Sequence, residues 1–422
     1  MMGTMSTGKQ REAEALFPEA TRLLPAPGSA LGERGGACLA RGELREAEAA
    51  LLEAVRLDPR NVAHRHNLGV VLDRQAKYAA AAASFREAIR LAPDALPSHL
   101  GLALVARRRG IWSEEAAAYR AAVRTRPGDV NLLGELGRAL SADGRFAEAV
   151  PALLEAVGLA ADHADLQLEL GIALGRQGRH LEAEAHLREA IRLDADNVVA
   201  HANLALGLGR QGRYREAEAA YRQAIRLDPL NARLRRGLGV TYFFEREYTQ
   251  AEAAFREAVR LRPDYVTAHI DLGDLLNERG RGTEAAAAFR EAIRLNPRSA
   301  AAYRGLGSAL FSESRYAEAE GAYREAVRLN PEDSRSHFHL WDVLEKQSKY
   351  ADATVAYRQA IAVKPDLAEA HARLGRALGR IGQFAEAAAA YRESLRLNPE
   401  DQGARAGLER ALEAQKAAAG GD

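Results

Sequence analysis

Three patterns in the sequence have the residue types that catalysis or ligand capture would need. The run Gly207-x-Gly209-x-x-Gly212 has the spacing of a dinucleotide fingerprint, whose glycines let backbone approach a pyrophosphate. That chemistry needs a strand before the run and a helix opening at its end. The apolar spacing here lays the run across a helix end instead. The histidines invite a metal reading. However, His64/His66 and His337/His339 are i, i+2 pairs that point to different sides of a helix, and neither pair has a third ligand. His99, His201, His269, His337 and His371 lie at multiples of 34, which spreads them along the chain rather than around one ion. The lone Cys38 rules out an intramolecular disulfide and stands where comparable segments carry leucine or tyrosine, so it reads as core. No phosphate-cradling loop, nucleophile elbow or isolated carboxylate pair stands apart. The expectation is a chain that is not an enzyme, with no catalytic residues, no metal and no cofactor.

What positions these residues is a strict internal period. Pro25, Pro59, Pro93 and Pro127, then Pro229, Pro263, Pro297, Pro331, Pro365 and Pro399, are spaced by 34 or its multiples, with Ala161 and Ala195 in the two vacant slots. Counting back gives eleven units: 28–61, 62–95, 96–129, 130–163, 164–197, 198–231, 232–265, 266–299, 300–333, 334–367 and 368–401. Position 8 is small in most units, as at Gly69, Gly137, Gly239 and Gly375. Position 20 is alanine in all units but one, where Glu115 stands, and position 27 is alanine except at Ser394. Position 24 is large throughout, from Leu51 and Phe85 to Tyr391. Small residues facing large ones let two helices touch closely. Within a unit, Leu204, Leu208, Ala217, Ala220, Tyr221, Ala224 and Ile225 recur at helical steps. Gly212 falls between the two halves and Pro229 closes the second. Trp112 takes position 17, where Tyr78, Phe146 and Tyr214 sit, so packing explains it. The pairs Glu184–Arg188, Glu218–Arg222, Glu252–Arg256 and Glu320–Arg324 lie at i, i+4; at ~0.2–0.5 kcal/mol each they read as decoration of an exposed face.

Small residues at positions 8, 20 and 27, a large one at 24 and proline at 32 resemble the tetratricopeptide-repeat family over residues 28–401. The resemblance implies an all-α, right-handed superhelical solenoid of eleven helix-turn-helix units with half-repeat caps. Residues 9–27 read as an orphan second helix, because Ala13, Phe17, Ala20 and Pro25 keep that register. Residues 402–416 read as a capping helix, and 1–8 and 417–422 as disordered. The array resembles in length the superhelix of O-linked N-acetylglucosamine transferase, but its recurrent asparagine would fall at position 6, where only Asn67 and Asn203 comply. The lysines and asparagines by which some relatives clamp a terminal carboxylate are missing too; Lys346 is the only lysine in the corresponding stripe.

The resemblance further implies that first helices line a concave groove, along positions 2, 5, 6, 9, 12 and 13. Units seven to ten depart most from the consensus there. Val240, Phe243 and Phe244 are followed by Ile270, Asp271, Asp274, Asn277 and Glu278, then Arg304 and Phe311, then Phe338, His339, Asp342 and Glu345. Aromatics rimmed by carboxylates have the form of an anchor-and-rim binding site. Arg246, Ser314 and Ser348 replace the turn glycine in the same units, and Trp341 replaces the small residue at position 8. A secondary basic stripe of Arg74, Arg107, Arg108 and Arg138 reads chiefly as a solvated consensus face, since arginine recurs at position 13 as Arg176, Arg210 and Arg380.

Composition narrows the partner class. Lys and Arg number 59 against 58 Asp and Glu, so the basic excess that nucleic acid or an anionic membrane would demand is missing. The opening residues carry no apolar run of signal-peptide length, and no stretch approaches the ~20 apolar residues of a membrane span. The expectation is a cytoplasmic scaffold or adaptor that takes a protein or extended peptide in its groove, with no nucleic acid and no membrane insertion. The alternatives are an array that associates with itself and the non-catalytic regulatory arm of a multi-subunit enzyme.

Overall fold

The chain is described by a computed structural model over residues 15–26 and 29–419, and among these residues there is no strand. It divides into two compact units, one ending at Leu227 and the other beginning at Asp228. Each unit is an all-α solenoid of stacked antiparallel helix pairs. In the first unit the pairs run from Ala30–Ala40 and Leu44–Leu57 to Val198–Arg210 and Tyr214–Leu227. In the second they run from Ala232–Phe244 and Tyr248–Leu261 to Ala368–Arg380 and Phe384–Leu397, and the helix Gln402–Ala419 follows.

Helix ends follow from local chemistry. Asn61, Asp129, Asn197 and Ser299 each accept a hydrogen bond from a first-turn amide, as in Ala200 N to Asn197 Oδ1 at 2.9 Å. The turn inside each pair places one residue at positive φ. Glycine holds that position at Gly144 and Gly212 (φ 78° and 76°), whereas Arg246, Ser314 and Ser348 adopt φ of 62°, 61° and 57° there. Ala76, in the second repeat, does the same at φ 58°, so this departure is not confined to repeats seven to ten.

Close packing rests on the small–large alternation. A Cβ added at Gly273 would lie 2.7 Å from the Phe289 ring, and one at Gly305 would lie 2.2 Å from it. Each large residue at position 24 thus needs room in its own repeat and in the next. The histidines at position 4 bind the stack together as well: Nε2 of His99, His269, His337 and His371 meets the carbonyl of Pro93, Pro263, Pro331 and Pro365, at 2.8 to 2.9 Å. Cys38 is buried. Among the described residues no group of His, Cys, Asp and Glu could hold a metal ion, and no helix is long and apolar enough to cross a membrane.

Two sequence expectations are corrected here. The glutamates of the i, i+4 pairs do not simply decorate a surface. Glu184, Glu252 and Glu320 are buried, and each also takes the turn of the following repeat: Gln211 and Arg213, Arg279 and Arg281, Gln347 and Lys349. The glutamate therefore ties neighbouring repeats together. Nor is there a second helix through residue 25. Residues 15 and 16 are helical, but Phe17 leaves the helical region (φ −129°, ψ 70°), Pro18–Ala20 form a 3-10 turn, and the chain then runs without regular structure to Ala26. Pro18 is the physical reason, because proline disfavours helical backbone at the residue before it. Residues 1–14, 27, 28 and 420–422 lie outside the described residues. At the other end the last helix continues to Ala419, past residue 416.

Candidate functional site

The stripe of candidate residues in the second unit separates into three clusters. Phe243 packs edge-on against Phe244, with ring centroids 5.8 Å apart, and against Tyr248 at 5.9 Å. Phe244 is 58% exposed and Val240 half-buried. These residues stand on the last turn of Ala232–Phe244, whose helical steps bring them to one side.

The second cluster is acidic. Asp271 pairs with Arg236, and Arg304 Nη1 meets Asp333 Oδ2 at 2.6 Å. Asp274, though solvent-exposed, stands among surrounding protein and near the Asp271 carboxylate, which together push its pKa up to about 6. Asn277 Nδ2 donates to Gly305 O at 3.4 Å, while its Oδ1 is buried without a partner. Ile270 packs against the buried cluster that includes Leu276 and Phe289, and Glu278 is exposed.

The third cluster is a cleft of about 480 Å³ lined by Phe311, Asp342, Glu345, Lys346, Tyr350, Arg376 and Arg380. Phe311 leans on Tyr316 with centroids 5.4 Å apart. Glu345 takes both nitrogens of the Arg376 fork and accepts from the Tyr357 hydroxyl at 3.1 Å. Asp342 pairs with Arg373, whose guanidinium lies 4.0 Å from the centroid of the Phe338 ring. His339 stacks on Tyr323 at 5.4 Å, and burial lowers its pKa. Trp341 is buried against Tyr357 at 4.5 Å, so it is a core residue. The acidic rim read from the sequence is thus largely neutralised by Arg373 and Arg376. Arg380 and Lys346 remain, and among the described residues no carboxylate lies within ion-pair distance of either.

The secondary basic stripe of the first unit is corrected more strongly. Arg107 is buried between Glu115 and Glu135, Arg108 pairs with Asp73, and Arg138 pairs with Glu135 and approaches Glu169. Only Arg74 is exposed. The arginines neutralise carboxylates instead of presenting a cationic surface, which the spacing of arginines alone does not reveal.

Family models described as tetratricopeptide repeat match residues 5–62, 66–130, 135–198, 203–266, 241–295, 270–334 and 368–401, and one described as TPR repeat matches 342–382. The chain belongs to the tetratricopeptide-repeat family. Similar solved structures include yeast Tom70, at 16% identity over 92% of this chain and 95% of that one, with a TM-score of 0.45. PilF of Pseudomonas aeruginosa is 22% identical over 48% of this chain and 92% of its own (TM-score 0.43). A tetratricopeptide-repeat protein of Parabacteroides merdae is 18% identical over 59% and 98% (TM-score 0.44). No curated protein matches the chain. Membership makes the chain a scaffold of the protein-interaction class, in a family that is generally non-catalytic. Within its tetratricopeptide array, sequence reasoning passed over Arg373 and Arg376 as cleft residues. Their tetratricopeptide positions, 6 and 9 of the eleventh repeat, were the available signal.

Proposed function

We propose that the chain is a cytoplasmic adaptor that binds an extended peptide along the concave face of its second unit, with the Phe311–Arg380 cleft as the anchor. The observation that carries this reading is the composition of that cleft. It is open, with Phe311 and Tyr350 as apolar walls, and Arg380 and Lys346 lack a carboxylate partner among the described residues. A peptide with an apolar side chain next to an acidic one would satisfy both features. The apolar group would be desolvated against the aromatics, and the acid would meet cations that a rim of paired charges orients. Near-neutral net charge and a single cysteine fit a protein partner in a reducing compartment.

The test is selection of random displayed peptides on the purified full chain, followed by titration on a Phe311→Ala/Arg380→Glu variant. Selected peptides should combine an acid with an apolar residue and bind the variant roughly tenfold or more weakly. Peptides that bind both proteins equally would move the site elsewhere.

A further inference from the structure

We propose that the concave face of the first five repeats is a second peptide-docking site, and that residues 15–26 are its tethered occupant. The partner segment that displaces them would share their pattern: an extended chain with an aromatic residue, a small residue three positions on, and two leucines immediately beyond its next turn. This reading is carried by different repeats from the Phe311–Arg380 cleft, so either can fail alone.

The grip on the segment is addressed first to main chain. Leu24 N donates to Asn67 Oδ1 at 2.7 Å, and Asn67 Nδ2 donates back to Leu24 O at 2.9 Å. His66 Nε2 lies 3.0 Å from Arg22 O, while its Nδ1 meets Ser98 Oγ at 3.2 Å. Asn67 and His66 are buried, at 2% and 0% exposure. If the segment left, these side chains would exchange its main-chain partners for water unless another peptide backbone took its place. A main-chain grip does not distinguish one extended segment from another, so it suits an exchangeable ligand.

Selectivity comes from two buried side chains. Phe17 packs on Tyr119 with centroids 6.0 Å apart, and Ala20 is buried in the same 3-10 turn, which rests on the helix Leu96–Arg109. Glu19 reaches Arg126 at 3.3 Å. The segment runs against the order of the repeats, with Leu23 beside Gly36 in the first and Leu16 beside Gly134 and Leu166 further along. Among the described residues, a cleft of about 350 Å³ lies next to Ala15 and Leu16, walled by Val130, Asn131, Glu135, His163 and Leu166, and Leu16 is 39% exposed. A tethered segment can hold a site with an imperfect fit because its effective concentration is high. A free partner would need the better fit that this cleft offers.

The experiment uses the full chain and a capped, fluorescent peptide with the sequence of residues 15–26. Phe17→Asp/Ala20→Asp, folded by circular dichroism, should bind the peptide at least roughly tenfold more tightly than wild type, because the internal competitor is expelled. Adding Asn67→Ala should reverse that gain, and a peptide carrying Phe17→Asp should not bind. A folded Phe17→Asp/Ala20→Asp variant that binds no better than wild type, or binding indifferent to Asn67, would overturn the proposal. Should that variant not fold, isotope-labelled wild type decides. Excess unlabelled peptide should release the slowly exchanging Leu24 amide while helices Val62–Arg74 and Leu96–Arg109 stay protected, and a Leu24 amide unmoved at saturating peptide would refute displacement. Dimerisation of wild type that Phe17→Asp abolishes would assign the groove to a second copy and overturn the partner assignment.

Discussion

Arg107 Nε donates to Glu115 Oε1 at 2.6 Å, with both side chains at or below 4% exposure. This pair accounts for the one repeat in which position 20 is not alanine. Arg107 also pairs with Glu135, so a single guanidinium serves two buried carboxylates. Their environments differ. Desolvation dominates at Glu115 and pushes its pKa up to about 7. Glu135 is desolvated too, yet Arg107 and Arg138 together hold its carboxyl below the ordinary range.

Removing the shared cation should therefore cost far more than removing the poorly compensated acid. Arg107→Ala leaves two buried carboxylates with only Arg138 nearby, and it should destabilise the surrounding helices by about 3–5 kcal/mol. Glu115→Ala restores the residue that other repeats carry and leaves Arg107 with Glu135, so its cost should stay within about 1 kcal/mol. Native-state hydrogen exchange of Leu96–Arg109 and Val130–Ala142 measures both. Equal losses would mean that Glu115 is as fully compensated as its partner.

The glycines divide just as sharply. Gly305→Ala drives a Cβ to 2.2 Å from the buried Phe289 ring, an overpacking that should cost about 1–3 kcal/mol. Gly207→Ala meets nothing within 4 Å and lies inside the helix Val198–Arg210, so it should stabilise by about 0.5–1 kcal/mol. The second result would also show that position 207 has no need of bare backbone, as a phosphate-binding turn would. Thermal unfolding of the two variants should move in opposite directions.

The architecture was legible because stacking imposes one residue-size rule per repeat, and a rule repeated every 34 residues cannot be hidden by drift at other positions. The same regularity misled at the amino-terminal segment. Phe17 and Ala20 keep second-helix spacing, yet Pro18 disfavours the helix, and spacing says nothing of a groove that lies repeats away in sequence. Charge partners were equally hard to read. Arg107 and Arg373 look like surface arginines until the fold brings Glu135 and Asp342 to them across repeat boundaries. Of the candidate groove, Phe311, Asp342 and Glu345 do share one cleft, whereas Phe243 and Phe244 form a cluster with Tyr248.

Acidification should loosen the first unit through His66. Burial lowers this imidazole from 6.5 to about 4, so between those values the folded protein keeps it neutral while the unfolded chain takes up a proton. More protons bound by the unfolded state means that stability falls as pH falls through this window, by about 2 kcal/mol at pH 5. Glu115 acts in the opposite sense. Its folded pKa of about 7 exceeds the ordinary 4.5, so its contribution improves as pH drops from 7. Comparing wild type with His66→Gln at pH 7 and pH 5 cancels Glu115, which both proteins share. Wild type should lose stability relative to the variant, and the Leu24 amide should exchange faster in wild type at pH 5, because Asn67 and His66 hold adjoining stretches of one segment. Identical pH slopes in the two proteins would show that His66 accepts its proton without leaving the buried site.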